Sequence, residues 1–290
     1  HRFIIQPSVL QGAIAHFSGA VGQQRVPETY LANLSISLPP LTEQKRIAAI
    51  LTKQMAALEK AWAAIEEQLE AAEALPSASS HEIFNSPEAK KWPRKRLGDY
   101  VTKVGSGITP LGGYASYQKT GIPLIRSQNI RMNTFEPEGL AFISEVQDAE
   151  MGGSRVIPKD VLLNITGASI GRVCVVPDKI CPANVNQHVS IIRGNGTFEP
   201  AFLSYYLSTP DFQKIIMDSQ AGATRQALTK TLIENFIIPL PPFPVQKRIS
   251  AELAGKISAA EKLACNLREQ LETINKMPAA LLRKTFNGEL

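Results

Sequence analysis

Residues 38–47 read Leu38-Pro39-Pro40-Leu41-Thr42-Glu43-Gln44-Lys45-Arg46-Ile47, and residues 240–249 read Leu240-Pro241-Pro242-Phe243-Pro244-Val245-Gln246-Lys247-Arg248-Ile249. The two align without a gap, each residue falling on the one 202 positions later. The register continues backward: Asn33 falls on Asn235, Thr29 on Thr231, and Leu10-Gln11 on Phe212-Gln213. Solenoid repeats run about 20–50 residues. So wide a spacing means two copies of a large module, the first cut short at its N-terminus.

A helix is expected after each Pro-Pro, because proline is excluded from a helix interior but suits the extended approach to one. Behind the first, Leu51, Met55, Leu58, Trp62, Ile65, Leu69 and Ala72 step by alternating fours and threes, the seam of a coiled coil. The same register in the second copy gives Leu253, Ile257, Ala260, Ala264, Leu267, Leu271 and Ile274. Two stripes in one register predict helices that pair with each other, Trp62 filling a hole lined by Ala260 and Ala264. A helix of about 30 residues is about 45 Å long, the length of a spacer.

Leu75-Pro76-Ser77-Ala78-Ser79-Ser80 reads as a Pro/Ser linker ending the first helix. From Arg94 to Asn235 the chain turns to short apolar runs between turn signals. Ile122–Ile125, Asp160–Ile165, Arg172–Val176 and His188–Ile192 read as strands. Phe202–Leu207 and Asp211–Met217 read as short helices parted by Pro210. The fold class is therefore α+β: a globule of ordinary domain size and two long helices.

At 290 residues the chain is long enough to bury a core without disulfides or metals. No apolar run approaches the ~20 residues of a membrane helix, and HRFIIQPSVL lacks a signal peptide's features. Cys174, Cys181 and Cys265 form no C-x-x-C, which fits free thiols in a reducing cytoplasm. His1, His16, His81 and His188 are scattered, giving a metal site no support. The net charge of +5 suits an acidic partner such as nucleic acid.

Catalytic signatures are missing. Gly105-Ser106-Gly107 lacks the third glycine of G-x-G-x-x-G and the lysine of a P-loop. Leu240-Pro-Pro-Phe243 echoes the Asn/Asp-Pro-Pro-Phe/Tyr motif of amino-methyltransferases, but leucine cannot bind the amine, and Leu38 stands at the matching place. Pro177-Asp178-Lys179 lacks the second acid of a nuclease site. What remains are polar and basic residues at the ends of expected strands: Arg126-Ser127-Gln128-Asn129, Arg131, Asn164, Thr166, Ser169, Arg172, Asn184, Asn186-Gln187-His188 and Thr224-Arg225-Gln226, with Thr109. Arg forks onto guanine and Asn or Gln onto adenine, whereas Ser, Thr and Lys hold phosphates. Arg126, Asn164, Arg172, Gln187 and Arg225 are expected to converge on one face, and Lys103 to meet phosphate. Between Arg94 and Asn235 there are 15 Lys/Arg against 12 Asp/Glu, so reading depends on placement rather than bulk charge.

With these residues in hand, the chain resembles the specificity subunit of type I restriction–modification systems over nearly its whole length. The paired Pro-Pro-x-x-x-Gln-Lys-Arg-Ile junctions carry the resemblance best. In support come Trp92 with Leu97-Gly98, Gly105-Ser-Gly-Ile-Thr-Pro110, Gly121-Ile-Pro-Leu-Ile-Arg126, Asn164-Ile-Thr-Gly-Ala-Ser-Ile-Gly171, Tyr205-Tyr206 and Gly222-Ala-Thr-Arg225. The resemblance implies target-recognition domains, each followed by a long conserved helix, the two helices pairing as an antiparallel coiled coil. Mapped here, residues 1–40 are the C-terminal remnant of a first recognition domain, and 41–75 a spacer helix. Residues 76–91 are a linker, 92–240 a complete recognition domain, 241–276 the second spacer helix and 277–290 a tail. The implied role is to read one half of a bipartite site in double-stranded DNA and to dock methyltransferase subunits. Restriction subunits join the complex in a cytoplasmic assembly. The chain itself would be non-catalytic and hold no cofactor; S-adenosylmethionine, ATP and magnesium belong to the partner subunits. The mapping leaves two alternatives: a C-terminal fragment, or a natural half-subunit that would form a homodimer. The competing reading is the recognition tail of a fused methyltransferase–nuclease.

Overall fold

A computed structural model describes residues 7–19, 22, 24–35, 38–219 and 227–286, the side chains of Pro7 and Ser8 excepted. The chain divides into two compact units, one of residues 74–259 and one of residues 1–73 with 260–290. No helix among the described residues is long and apolar enough to cross a membrane.

Among the described residues, every strand lies in the unit of residues 74–259. In chain order these are β1 (Arg94–Arg96), β2 (Val101–Ser106), β3 (Ile122–Ile125), β4 (Ala141–Ile143), β5 (Arg155–Val156), β6 (Val161–Asn164), β7 (Val173–Val175), β8 (Ala183–Val185), β9 (Val189–Gly194) and β10 (Ile237–Pro239). One antiparallel sheet has the order β2-β9-β6-β7; a second, β4-β3-β8-β5, contains the parallel pair β3/β8. Strand β6 is buried along its whole length, which is why it reads as a continuous apolar run rather than an alternation. Its side chains nevertheless divide by parity. Val161 and Leu163 join Val173, Ile192, Phe198, Leu203, Phe212 and Ile233 in a core under the helices. Leu162 joins Cys174, Ile191, Ile125 and Val185 between the two sheets.

The helices of that layer start where their sequence permits. Helix α5 (Pro200–Leu207) and α6 (Pro210–Asp218) each begin on a proline, whose missing N–H is unneeded in the first turn. Thr209 caps α6 by accepting from the Phe212 amide at 3.3 Å. Thr229 likewise accepts from Leu232 at the start of α7 (Lys230–Glu234), at 3.2 Å. A short α4 (Glu145–Glu150) carries a Ser144/Gln147 capping box. The two ends of the domain are tied together. Strand β1 pairs with β10, Leu97 donates to Phe236 and Leu240 to Pro93, each at 2.8 Å.

Each Pro-Pro does lead into a helix. α3 runs Leu41–Phe84 and α8 runs Phe243–Phe286, both of 44 residues and with bounds 202 apart. The small helix α2 (Glu28–Ala32) stands at the same offset from α7, and α1 (Pro7–Ile14) precedes it. The repeated glutamine makes the same hydrogen bond in both copies. Gln44 Nε2 donates to the Pro39 carbonyl and Gln246 Nε2 to the Pro241 carbonyl, both at 2.8 Å. Gln246 also accepts from the Glu199 amide at 2.8 Å, fastening α8 to the domain before it.

Three expectations need correction. Residues 76–80 are no linker: α3 continues through Pro76 to Phe84. An interior proline costs about 3 kcal/mol. The extra turns offset that by seating Phe84 against Trp92, Phe202 and Tyr206, ring centroids 5.2–6.3 Å away, and Ser80 Oγ donates to the Pro76 carbonyl at 3.0 Å. Residues 277–286 are likewise helix rather than tail, running through Pro278. Finally, Trp62 is 38% exposed. Ala264, expected to line its hole, packs instead with Ala72 and Leu267.

In the other unit the seam itself is packed. Ala72, Ala264 and Leu267 are buried together with Ile65 and Leu69 beside them, and Glu73 pairs with Arg268. Ile65 faces a concavity lined by Asn266, Gln270 and Ile274, so partners run backward along α8 as α3 advances. The pairing is antiparallel. Elsewhere on the two stripes, Leu51, Leu253 and Ala260 are buried, and Met55, Leu58, Ile257 and Leu271 are half-buried.

Candidate nucleic-acid interface

Strands β2, β3, β6 and β8 all end, and β7 and β9 begin, at one edge of the domain, so the loops joining them gather there. Their centre is an open concavity of about 540 Å³ lined by Ser127, Gln128, Arg131, Thr166, Gly167, Ala168, Ser169, Arg172 and His188. Seven of these nine are side chains singled out from sequence; Gly167 and Ala168 complete the wall. Gly167 (φ 73°) and Gly171 (φ 87°) adopt a left-handed conformation that lets the 166–172 loop turn back tightly.

Buried amides hold the loops. Asn164 Nδ2 donates to the Ser127 carbonyl at 2.9 Å and to Ser169 Oγ at 3.1 Å, joining two walls of the concavity. Asn129 accepts from the Arg126 amide at 3.0 Å and donates to the carbonyls of Glu136 and Glu138 at 2.9 and 3.2 Å. Asn186 accepts from the His188 amide at 3.1 Å. All three asparagines are buried. Their expected place on an exposed DNA-facing surface is therefore corrected: their hydrogen bonds go chiefly to backbone and shape the loops around the concavity.

On the rim a chain of side chains runs from Thr109 through Gln187 to His188 and Thr166. Thr109 Oγ1 bonds Gln187 Oε1, Gln187 Nε2 lies 2.9 Å from His188 Nε2, and Thr166 Oγ1 lies 2.6 Å from His188 Nδ1. Arg126 turns away from the concavity. It donates to the Gly139 carbonyl at 2.7 Å and sits 5.4 Å over the Tyr117 ring. Among the described residues, Arg131 and Arg172 are in no ion pair, leaving two uncompensated cations in the concavity.

Lys103 does not join them. It pairs with Arg193 across β2/β9, five residues from His188, which is about 17 Å along a strand. It donates to the Gly153 carbonyl at 2.6 Å, and burial above all, then Arg193, pulls its pKa down. Thr224, Arg225 and Gln226 lie outside the described residues. The three cysteines are free thiols, and burial pushes Cys174 up to about 12. Among the described residues no cluster of three or more His, Cys, Asp or Glu could hold a metal.

Comparison with known proteins places the chain in a family. The family described as type I restriction modification DNA specificity domain matches residues 4–71 and 89–272, one stretch for each copy of the repeat. The EcoBI type I restriction enzyme specificity subunit of Escherichia coli is 30% identical over 175 residues, 59% of this chain and 36% of the relative. The MjaVIII type I specificity subunit of Methanocaldococcus jannaschii is 22% identical over 284 residues, 93% of this chain and 65% of the relative. The chain thus spans between about a third and two thirds of these relatives' length. A chain solved in a study of complex assembly and conformational transition of a type I restriction–modification system superposes with a TM-score of 0.75 at 24% identity. That match covers 97% of this chain and 68% of the other, and it shows the shared fold. The chain belongs to the family of type I restriction–modification DNA specificity domains.

Proposed function

We propose that this chain reads sequence in double-stranded DNA for a type I restriction–modification complex, one recognition domain per half-site, and leaves the chemistry to its partners. The observation that carries the reading is the concavity at the loop end of the domain. Arg131 and Arg172 supply unpaired guanidinium groups, and Gln128, Ser127, Thr166, Ser169 and His188 supply donors and acceptors around them. Guanidinium forks and amides are the groups that discriminate base edges. Methyltransferase subunits using S-adenosylmethionine would dock on the chain, and restriction subunits using ATP and magnesium would join them in the cytoplasm. The two 44-residue helices suit a spacer that sets the distance between half-sites.

The test is selection of duplexes from a random library by the full chain, alone and with a type I methyltransferase subunit. A defined half-site should be enriched. Arg131→Ala and Arg172→Ala should each cost about 1–3 kcal/mol on that duplex and relax choice at one base pair. Equal loss on every sequence would make both arginines phosphate anchors, and no enrichment with the partner present would refute the reading.

A further inference from the structure

Beside the concavity, the loop after β2 exposes apolar side chains, with Ile108 and Leu111 bordering a small hollow shared with Gln147 and Met151. Leu111 is 88% exposed, Tyr114 81% and Ile108 51%. An exposed apolar cluster of this kind marks a contact surface. The tip is built to stay in shape. Gly112 and Gly113 both take left-handed conformations, Gly113 donates to the Pro110 carbonyl at 2.9 Å, and Ser116 Oγ donates back to Gly113 at 2.8 Å.

One flank of the loop is fastened to the reading face and the other to the Arg126 side chain. Thr109 bonds Gln187, which reaches His188 in the concavity wall. Tyr114 packs edge-on against Tyr117, centroids 5.4 Å apart, and Tyr117 carries the Arg126 guanidinium. From Gly105 to Phe135 the sequence has no acidic residue, and Lys119, Arg126 and Arg131 are basic, a balance that suits a polyanion. Glu150 lines the small hollow beneath the loop, but the tip itself is uncharged.

We infer that this loop is a wedge, with Leu111 entering the DNA base stack next to the bases read in the concavity and Tyr114 stacking on the step it opens. Apolar side chains inserted between base steps unstack them and bend the duplex. The inference rests on the DNA-reading function proposed above and adds a second mode of contact to it.

The experiment uses the duplex recovered by selection, with 2-aminopurine placed in turn at each position in and beside the half-site. Binding of the full chain should raise fluorescence at one step only. Leu111→Ala should remove that rise and weaken binding roughly tenfold, the loss expected for one buried leucine, with thermal unfolding unchanged. Tyr114→Ala should lower the rise without shifting its position. No fluorescence rise at any position, or full affinity in Leu111→Ala, would overturn the wedge while leaving groove reading intact. Leu111→Ala that binds DNA normally but fails to assemble with the methyltransferase subunit would assign the loop to a protein partner and overturn it too. If selection enriches no duplex, the wedge falls together with the reading it rests on.

Discussion

Asp160 is fully buried at the start of β6, where it accepts from Arg193 Nε and Nη2 at 2.8 Å each and from the Ile157 amide at 2.8 Å. Arg193→Ala leaves that carboxylate inside the protein with only the amide, and an unpaired buried charge costs about 3–5 kcal/mol. Asp160→Ala strands the opposite charge. Arg193 has a side chain 25% exposed, so water recovers part of the loss, and we expect about 2–4 kcal/mol. Removing both charges takes away the reason for each penalty, so the double variant should lose less than the two single losses together, with a coupling of about 2 kcal/mol. Urea unfolding in a Trp62→Phe background isolates the signal of Trp92, the other tryptophan of the chain and part of the strand-bearing unit. Additive losses, or a loss below about 1 kcal/mol for Arg193→Ala, would refute the reasoning. Because Arg193 and His188 stand at opposite ends of the β9 segment, the folded single variants should bind the selected duplex as the parent does.

Asp148 is held below the usual carboxylate range, first by its hydrogen bond from Arg155 and also by Asn184. Its folded pKa lies under its unfolded one, so its contribution is complete above the unfolded value near 3.8 and fades as pH falls through the folded one. Asp148→Asn should flatten the fall in urea midpoint between about pH 5 and pH 2; an unchanged slope would deny the linkage. A methyl group on Gly107 would sit 1.7 Å from the Val185 carbonyl oxygen, so Gly107→Ala should cost about 3 kcal/mol or more, with a thermal melt as the measure. Leu267→Ala, in the buried seam, should cost about 2–5 kcal/mol, while Trp62→Phe should change the melting temperature little; the reverse order would mean that the helices pair in another register.

The long-range architecture is legible because it is written twice. A repeated Gln-Lys-Arg-Ile and a repeated 4–3 stripe specify helices of equal length, and a second copy makes a weak periodic signal strong. The strand positions are legible too, since β3, β6, β7 and β9 are short apolar runs between turn residues. Two features depend on partners far away in sequence. Pro76 reads locally as a stop, and only Phe202 and Tyr206, more than 120 residues on, give the helix a reason to continue. The other is the use to which each polar residue is put. Asn164 and Ser169 look alike as polar residues near strand ends, yet one is a buried clamp and the other lines the concavity. Sequence names the groups that can hydrogen-bond, whereas burial decides whether their partner is backbone or something outside the protein.

Pro76 has one more effect, on the timing of local opening. Having no N–H, it leaves the helix one rung short at the place where α3 passes from the seam-bearing unit, which ends at Glu73, to the strand-bearing one, which begins at Ala74. The two stretches of α3 then owe their persistence to different neighbours: Ile65–Ala72 to the facing helix, Ile83 and Phe84 to Trp92 and Phe202. Amide hydrogens on either side of the proline should accordingly exchange with solvent at separate rates. Those after it should track the opening of the strand-bearing unit, and those before it the parting of the helix pair. A single unbroken helix would thus be shared by two cooperative folding units, divided at one missing hydrogen bond.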